Sequence, residues 1–346
     1  IGLNKTKDEK HVTSDVIVED VFATVPWEQL DPRLLAFKFF PPFTAYPEGG
    51  RDFDSDDMTH TLRLTHDYTD NTKVYFSHST GFKPTSVNLS VNATTPDTRA
   101  ADPEFSENFE IGVKHSHDSG YINAALFNQN IEGFQSNTFV GTGFQLVNAG
   151  DQRHKGIEID MKQQLSEDWA LGLSAIKIDA EYESFVNGPC QTLPEGSGVY
   201  PSVECDPGLP TRDLSGTTPA GISDWRANLN TTYSMDVSDT VSSFLRLEYV
   251  YESEVAVVDN VPAVKSPLLG LPGIADNIPA VRSTKNFNMS IGFNHAPSGV
   301  EVMFWGRNLT NHQSLLSAFP TAAAPGSFGG YPNVPRIYGL TARAAF

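Results

Sequence analysis

Two histidines, His115 and His117, stand two residues apart in "KHSHDSG". Alternate positions of a strand share a face, so this is ligand-like spacing for a metal. They also flank a tight turn, where a solvated pair is the simpler reading. "DFDSDD" at 52–57 offers carboxylate oxygens of the kind calcium takes. It lacks the glycine and closing glutamate of an EF-hand, so an acidic, solvated loop is expected there. Cys190 and Cys205 are the only cysteines, and both fall in a stretch rich in Gly and Pro. Their proximity predicts a local disulfide worth about 3 kcal/mol in an oxidising compartment, with two free neighbouring thiols as the alternative. No further Cys or His pair accompanies them to hold zinc. "FKFFPPFTAYPEGG" at 37–50 brings Phe37, Phe39, Phe40, Phe43 and Tyr46 together between prolines. Such rings either pack a loop on itself or make a rigid contact surface for a ligand. "SAFPTAAAPGSFGGYP" at 317–332 poses the same choice. No Gly-rich phosphate loop follows a strand, and no Ser, His and Asp stand in a catalytic context. The chain does not read as an enzyme and calls for no cofactor.

The elements that must position these residues alternate with period two. "NFNMSIGFN" at 286–294 puts Phe287, Met289, Ile291 and Phe293 on one face and Asn286, Asn288, Ser290, Gly292 and Asn294 on the other. The same division recurs at 225–233 (Trp225, Ala227, Leu229, Thr231, Tyr233), at 241–252 (Val241, Leu245, Leu247, Tyr249, Tyr251) and at 156–161 (Ile157, Ile159, Met161). The last strand, "RIYGLTARAAF", keeps Tyr338, Leu340, Ala342, Ala344 and Phe346 together to the final residue. Period two is the signature of strands rather than helices. About twelve are expected, near 1–10, 58–68, 72–82, 107–117, 120–132, 153–165, 168–184, 224–234, 240–253, 282–294, 299–308 and 336–346. The facing of 120–132 is the least evident.

Connections between these strands are alternately tight and long. The tight set is "DYTDNT" at 67–72, "HDSG" at 117–120, "LSED" at 165–168, "SMDVSD" at 234–239 and "HAPSG" at 295–299. The long set is 11–57, 83–106, 133–152, 185–223, 254–281 and 309–335. Short turns on one edge and long loops on the other are the plan of an outer-membrane barrel. Alternation alone does not separate a barrel from a soluble sandwich, which buries its apolar face against a second sheet. The one-sided loops, the apolar terminal strand and the aromatics near strand ends (Trp225, Tyr233, Tyr249, Tyr251, Tyr338, Phe346) favour the barrel. The polar face then lines a lumen with Arg63, Glu158, Asp160, Arg226, Arg246, Glu248, Glu301, Arg307 and Arg343, most of them expected to pair with one another or with a plug.

Hydrophobic residues are 39% of the 346, and no run approaches the length of a transmembrane helix. A net charge of -18 argues against nucleic acid as a partner, because phosphate binding needs clustered Lys and Arg. It lends no support to a strongly anionic ligand either. "IGLNKTKDEK" carries neither an initiator Met nor a signal peptide and reads as the middle of a longer chain.

The segment "VEVMFWGRNLTNHQSLLSAFP…PGSFGGYPNVPRIYGLTARAAF" resembles the C-terminus of TonB-dependent outer-membrane receptors. The correspondence rests on Asn308, Leu309, Thr310 and Asn311 in an "NLTD"-like turn, then Pro335, Arg336 and a terminal aromatic, Phe346. Asn311 stands where Asp is common. "KVYFSHSTGFKP", "ENFEIGVKHS", "INAALFNQNIEGFQ" and "NAGDQRHKGIEIDMKQQL" follow in the family's order. The resemblance implies an all-β, antiparallel transmembrane β-barrel. The twelve strands would be the C-terminal half of a 22-stranded barrel, residues 1–346 forming its C-terminal portion with the plug domain and first strands missing. It implies active uptake of a scarce nutrient such as a ferric siderophore across the bacterial outer membrane. The partners would be outer-membrane lipid, the TonB complex acting through the missing plug, and the barrel-assembly machinery reading Phe346, with a monomeric receptor. A passive porin and a soluble β-sheet ligand-binding protein are the alternatives.

Overall fold

The computed structural model describes residues 1–13, 29, 50–88, 99–140, 143–189, 211–258, 263–265, 277–279, 281–320 and 328–344. Twelve strands make one sheet. They are β1 (Gly2–Val12), β2 (Arg51–Thr69), β3 (Thr72–Lys83), β4 (Glu104–His117), β5 (Gly120–Glu132) and β6 (Asp151–Gln164). The second six are β7 (Trp169–Ser184), β8 (Trp225–Ser238), β9 (Val241–Ala256), β10 (Val281–His295), β11 (Val300–Arg307) and β12 (Ile337–Ala344). Each pairs antiparallel with its sequence neighbours, in the order β1 to β12. All twelve expected strands are present, and tight and long connections alternate as expected.

The register sorts the side chains into two faces. Cross-strand partners point the same way, so each row of the ladder can be read across the sheet. One row runs Val74, Val113, Ala124, Ile159, Ala175, Ala227 and Tyr251. Another runs Tyr233, Leu245, Ile291, Phe304 and Leu340. On β5, Ile122, Ala124 and Leu126 belong to this apolar face. Leu64, Ile111, Leu126, Leu229, Phe304 and Leu340 on it are between 45% and 61% exposed. The remaining sheets are two-stranded, and none forms a second layer over it among the described residues. A soluble protein rarely exposes an apolar patch of this extent. The sandwich is therefore excluded, and the face is built to be covered by hydrocarbon.

The opposite face is polar, and four of its aromatics are each set against a glycine on the next strand. Tyr75 opposes Gly112, Phe127 opposes Gly156, Phe244 opposes Gly292 and Trp305 opposes Gly339. A Cβ on Gly112 would stand 2.6 Å from the Tyr75 ring, and one on Gly156 would stand 2.7 Å from Phe127. The glycines let the rings lie against the wall rather than stand out from it.

One expectation fails at β2. "DFDSDD" is not a loop, because the strand starts at Arg51 and runs through it. Phe53 and Ser55 are buried on the polar face, while Asp52, Asp54 and Asp56 stand opposite His11, Glu9 and Lys7. His11 Nδ1 lies 2.6 Å from Asp52, and Lys5 Nζ lies 3.8 Å from Asp56. The period-two pattern persists here, but the outward residues are charged instead of apolar. Arg153 with Glu181 and Glu183, and Lys155 with Asp179 at 3.1 Å, repeat this on β6 and β7. Strands long enough to rise above the hydrocarbon change their outward chemistry where lipid gives way to water.

Candidate functional site

The rim carrying the long loops and the polar wall below it hold the chemistry. Phe37, Phe39, Phe40, Phe43 and Tyr46, Cys190 and Cys205, and Phe346 all lie outside the described residues. His115 and His117 are described. Their rings are 5.8 Å apart, and Thr72 Oγ1 is 2.8 Å from His115 Nδ1. No group of three metal-type donors exists among the described residues.

The long loops are rooted by buried polar side chains. Gln135 opens a short hairpin, Gln135–Val140 with Gly143–Asn148, above β5 and β6. Its amide donates to the carbonyls of Pro84 at 3.0 Å and Asp102 at 2.7 Å, and its backbone N–H donates to Glu104 at 2.7 Å. Asn148 donates to Asp102 O and Gly133 O and accepts from Asp102 N–H. Two neighbouring loops are thereby tied together at their bases. A small apolar cluster of Ala149, Tyr182, Phe185 and Leu214, with Phe134 against it, joins the β5–β6 loop to the β7–β8 loop.

Residues 214–224 then fill a gap in the wall. β7 pairs with β8 only as far as Lys177. Above that point Ile178 donates to Asp224 O, Tyr182 to Thr217 O, and Gly216 back to Tyr182 O. On its other side this segment is held by Glu252, which the register shift in β9 leaves at the rim. Arg226 Nη2 sits 2.9 Å from Glu252, and Arg282 Nε sits 3.3 Å from it. Ser223, 2% exposed, donates to Glu252 and accepts from Arg226. Both arginines also donate to Gly221 O, and Arg282 reaches Leu316 O in the last loop. The sequence placed Glu252 on the polar face, but the Arg226–Glu252–Arg282 cluster was not apparent. Its members are 26 and 30 residues from Glu252, and no local pattern brings them together.

The "NLTN" turn is a knot in the root of the β11–β12 loop. Asn308 is buried with φ of 49°, a left-handed conformation that Asn tolerates better than most residues. Its amide donates to His312 O at 2.9 Å and Val334 O at 3.1 Å, and its oxygen accepts from His312 N–H. Leu309 N–H donates to Phe287 O, and Thr310 Oγ1 donates to Lys285 O. Asn311, φ 52°, accepts from Arg336 N–H at 3.1 Å. An Asp at 311 would accept that same bond, so the departure from "NLTD" costs the turn nothing visible.

Down the wall, Glu248 accepts from Asn228 at 3.0 Å and Asn288 at 2.9 Å. Glu301 pairs with Arg343 at 3.3 Å. Across the sheet Tyr75 donates to Glu110 at 2.6 Å, and the Arg63 guanidinium lies 4.8 Å from its ring. Arg63, Glu158, Asp160, Arg226, Arg246, Glu248, Glu301, Arg307 and Arg343 all fall on the polar face. Nothing here assembles a nucleophile, a base and an oxyanion site. These groups hold a wall and its loops.

Residues 37–309 match the family described as TonB dependent receptor-like, beta-barrel. This chain belongs to the TonB-dependent receptor family. An uncharacterized TonB-dependent receptor of Haemophilus influenzae is 29% identical over 117 residues, 33% of this chain and 32% of that protein. Among solved structures the chain is similar to the ferric yersiniabactin uptake receptor FyuA of Yersinia pestis. The TM-score is 0.62 at 17% identity, covering 88% of this chain and 39% of that one. It is also similar to the siderophore receptor PiuA of Acinetobacter baumannii, with TM-score 0.58 at 18% identity, covering 87% and 37%. The chain thus spans about a third of the length of the H. influenzae relative and under two fifths of these two receptors. Membership makes the chain a transmembrane β-barrel wall of the bacterial outer membrane, in a family of receptors rather than enzymes. The apolar face meets lipid, the polar face lines the lumen, and the long loops are external.

Proposed function

We propose that the receptor containing this chain takes up a scarce nutrient, a ferric siderophore, at the expense of energy delivered through TonB. The family match over residues 37–309 carries this reading. Similarity to a ferric yersiniabactin uptake receptor and to a siderophore receptor supports the ligand class. The external loops bind ligand, and rings such as Phe37, Phe39, Phe40, Phe43 and Tyr46 supply contact area. The β1 and β12 edges are not paired with each other among the described residues, and unpaired strand edges are not tolerated in lipid. These twelve strands are therefore one part of a larger barrel whose remaining strands and plug lie elsewhere in the receptor. TonB acts through that plug. Phe346 serves as the assembly signal, and a disulfide joins Cys190 to Cys205 in the oxidising compartment outside.

The test is uptake of radiolabelled iron, presented on a panel of siderophores, by iron-starved cells with and without the gene. Uptake of at least one ferric complex should require both the gene and a functional TonB. Iron uptake unchanged by deletion across the panel would remove the siderophore reading, and transport that persists without TonB would favour a passive pore.

A further inference from the structure

Three titratable side chains lie where lipid is expected. The ladder puts His60, His78 and Glu107 on the outward face of β2–β4. One row there runs Leu62, His78, Phe109 and Asn128, and the next runs Thr80, Glu107 and Asn130, with the His60 N–H donating to Thr80 Oγ1 at 3.0 Å. These residues are not the start of the aqueous rim. Towards the loops the same face is apolar again at Met58, Phe82 and Phe105, the two phenylalanine rings 5.5 Å apart. Towards the turns it is apolar at Leu64, Phe76, Ile111 and Leu126.

The three side chains form one hydrogen-bonded chain. An ionised carboxylate can only accept, so His78 Nε2 donates to Glu107 at 2.9 Å. His78 Nδ1 then accepts from His60 Nε2 at 3.3 Å, and Thr80 Oγ1 lies 3.4 Å from His60 Nδ1. The His78 ring stacks on Phe109 with centroids 4.3 Å apart. Both imidazoles are thus fully engaged, but the carboxylate is not. The Glu107 side chain is 45% exposed, and among the described residues no Lys or Arg forms an ion pair with it. Ionisable groups that face hydrocarbon are costly unless something pairs with them. Further strands can join this sheet only at its β1 and β12 edges, and a plug only in the lumen, so neither covers the outer face of β3–β5. What reaches that face is lipid. Beside the cluster, Phe76, Phe109, Ile111, Leu126 and Asn128 line an open groove of about 360 Å3. The groove lies nearer the middle of the bilayer and the carboxylate nearer the loops. That is the order of tail and headgroup in a lipid of the external leaflet.

We propose that this place binds one phospholipid with a primary-ammonium headgroup, phosphatidylethanolamine. Its acyl chain fills the groove, and its ammonium donates a charge-assisted hydrogen bond to Glu107. His78, held by His60 and Phe109, fixes the carboxylate so that one oxygen faces the headgroup. The proposal rests on the lipid-facing wall and is independent of what the receptor carries.

The experiment takes the intact receptor, purified in detergent and delipidated. It is offered an equal mixture of phosphatidylethanolamine, phosphatidylcholine and phosphatidylglycerol with the same acyl chains, and retained lipid is read by native mass spectrometry. Phosphatidylethanolamine should be retained about tenfold over phosphatidylcholine, whose quaternary ammonium has no proton to donate. This comparison needs no variant. Glu107→Gln should abolish the preference while leaving both lipids bound. Ile111→Trp, which fills the groove, should lower retention of all three, and Leu340→Ala, on the same face at the other end of the sheet, should change nothing. Equal retention of the two zwitterionic lipids would overturn the proposal, as would a preference for phosphatidylglycerol or for a phosphorylated glycolipid added in its place. So would a preference untouched by Glu107→Gln, or a dimer that forms through this face and excludes lipid. None of these outcomes involves TonB or iron, so failure here leaves the uptake reading to the transport assay.

Discussion

The two ends of the strands are held by different physics. At the short-turn end, β2 passes to β3 through Asp70 and Asn71, β4 to β5 through Asp118 and Ser119, and β8 to β9 through Asp239 and Thr240. These turns close on backbone geometry and on residues two or three positions away. At the loop end, the buried Gln135, Glu252 and Asn308 and the half-buried Asn148 tie loop roots to partners 15 to 51 residues away. A short turn needs only the local chain. A long loop that must present a fixed surface needs a root tied to other strands, because loop-closure entropy otherwise leaves its tip free. Damage to a root should therefore cost more, and spread further, than damage to a turn.

The largest effect is expected at Glu252. Glu252→Ala leaves two guanidiniums without their carboxylate and releases Ser223 and the 214–224 segment from the wall. Breaking a fully buried pair costs about 3–5 kcal/mol. Arg226 is half exposed, so about 2–3 kcal/mol is the expected loss, read as the unfolding midpoint of the receptor in liposomes. New protease cleavage near residues 214–224 should accompany it. An unchanged midpoint and cleavage pattern would break the distinction between the two ends. Glu252→Gln, which keeps the shape and loses the charge, should fall between.

Asn308 comes next. Asn308→Ala removes the bonds to His312 and Val334 and places Ala at a positive φ. About 2 kcal/mol should be lost, with faster proteolysis confined to the β11–β12 loop. Asn308→Gly separates the two causes. Glycine accepts the backbone angle, so whatever loss remains belongs to the amide bonds.

These two sites also mark where the sequence was legible. The twelve strands, their facing and the alternation of turns and loops follow from period-two patterning, which acts between residues two apart. Thus Phe287, Met289 and Ile291 announced their face directly. Asn308 was visible as part of a motif, but its role depends on Val334, 26 residues later. Arg282 and Glu252 are ordinary charges until two strands pair. "DFDSDD" misled because an apolar-alternation criterion does not register a strand whose outward face has turned acidic. The loop aromatics were legible as a surface, yet nothing local says what they touch.

On the other side of the comparison, Gly299 ends the turn between β10 and β11 with φ of 62°. Gly299→Ala should cost about 1 kcal/mol through backbone strain alone. The midpoint should fall by less than in either root variant, and no new cleavage should appear at any external loop. Cleavage at the far end of the barrel would show that turns and roots are coupled along the strands.

The smallest effect should come from a pair that looks strong on distance. Lys73 Nζ lies 2.6 Å from Asp67 Oδ1 beside the β2–β3 turn, shorter than either Arg–Glu252 contact. Both side chains are well over half exposed, however, at 57% and 67%. In water the attraction is screened, and ordering two side chains offsets what remains. Asp67→Asn and Lys73→Gln, alone or together, should leave the unfolding midpoint unchanged at ordinary ionic strength. A loss comparable to that of Glu252→Ala would mean that proximity, rather than burial and the number of strands tied together, decides what an ion pair contributes to this barrel.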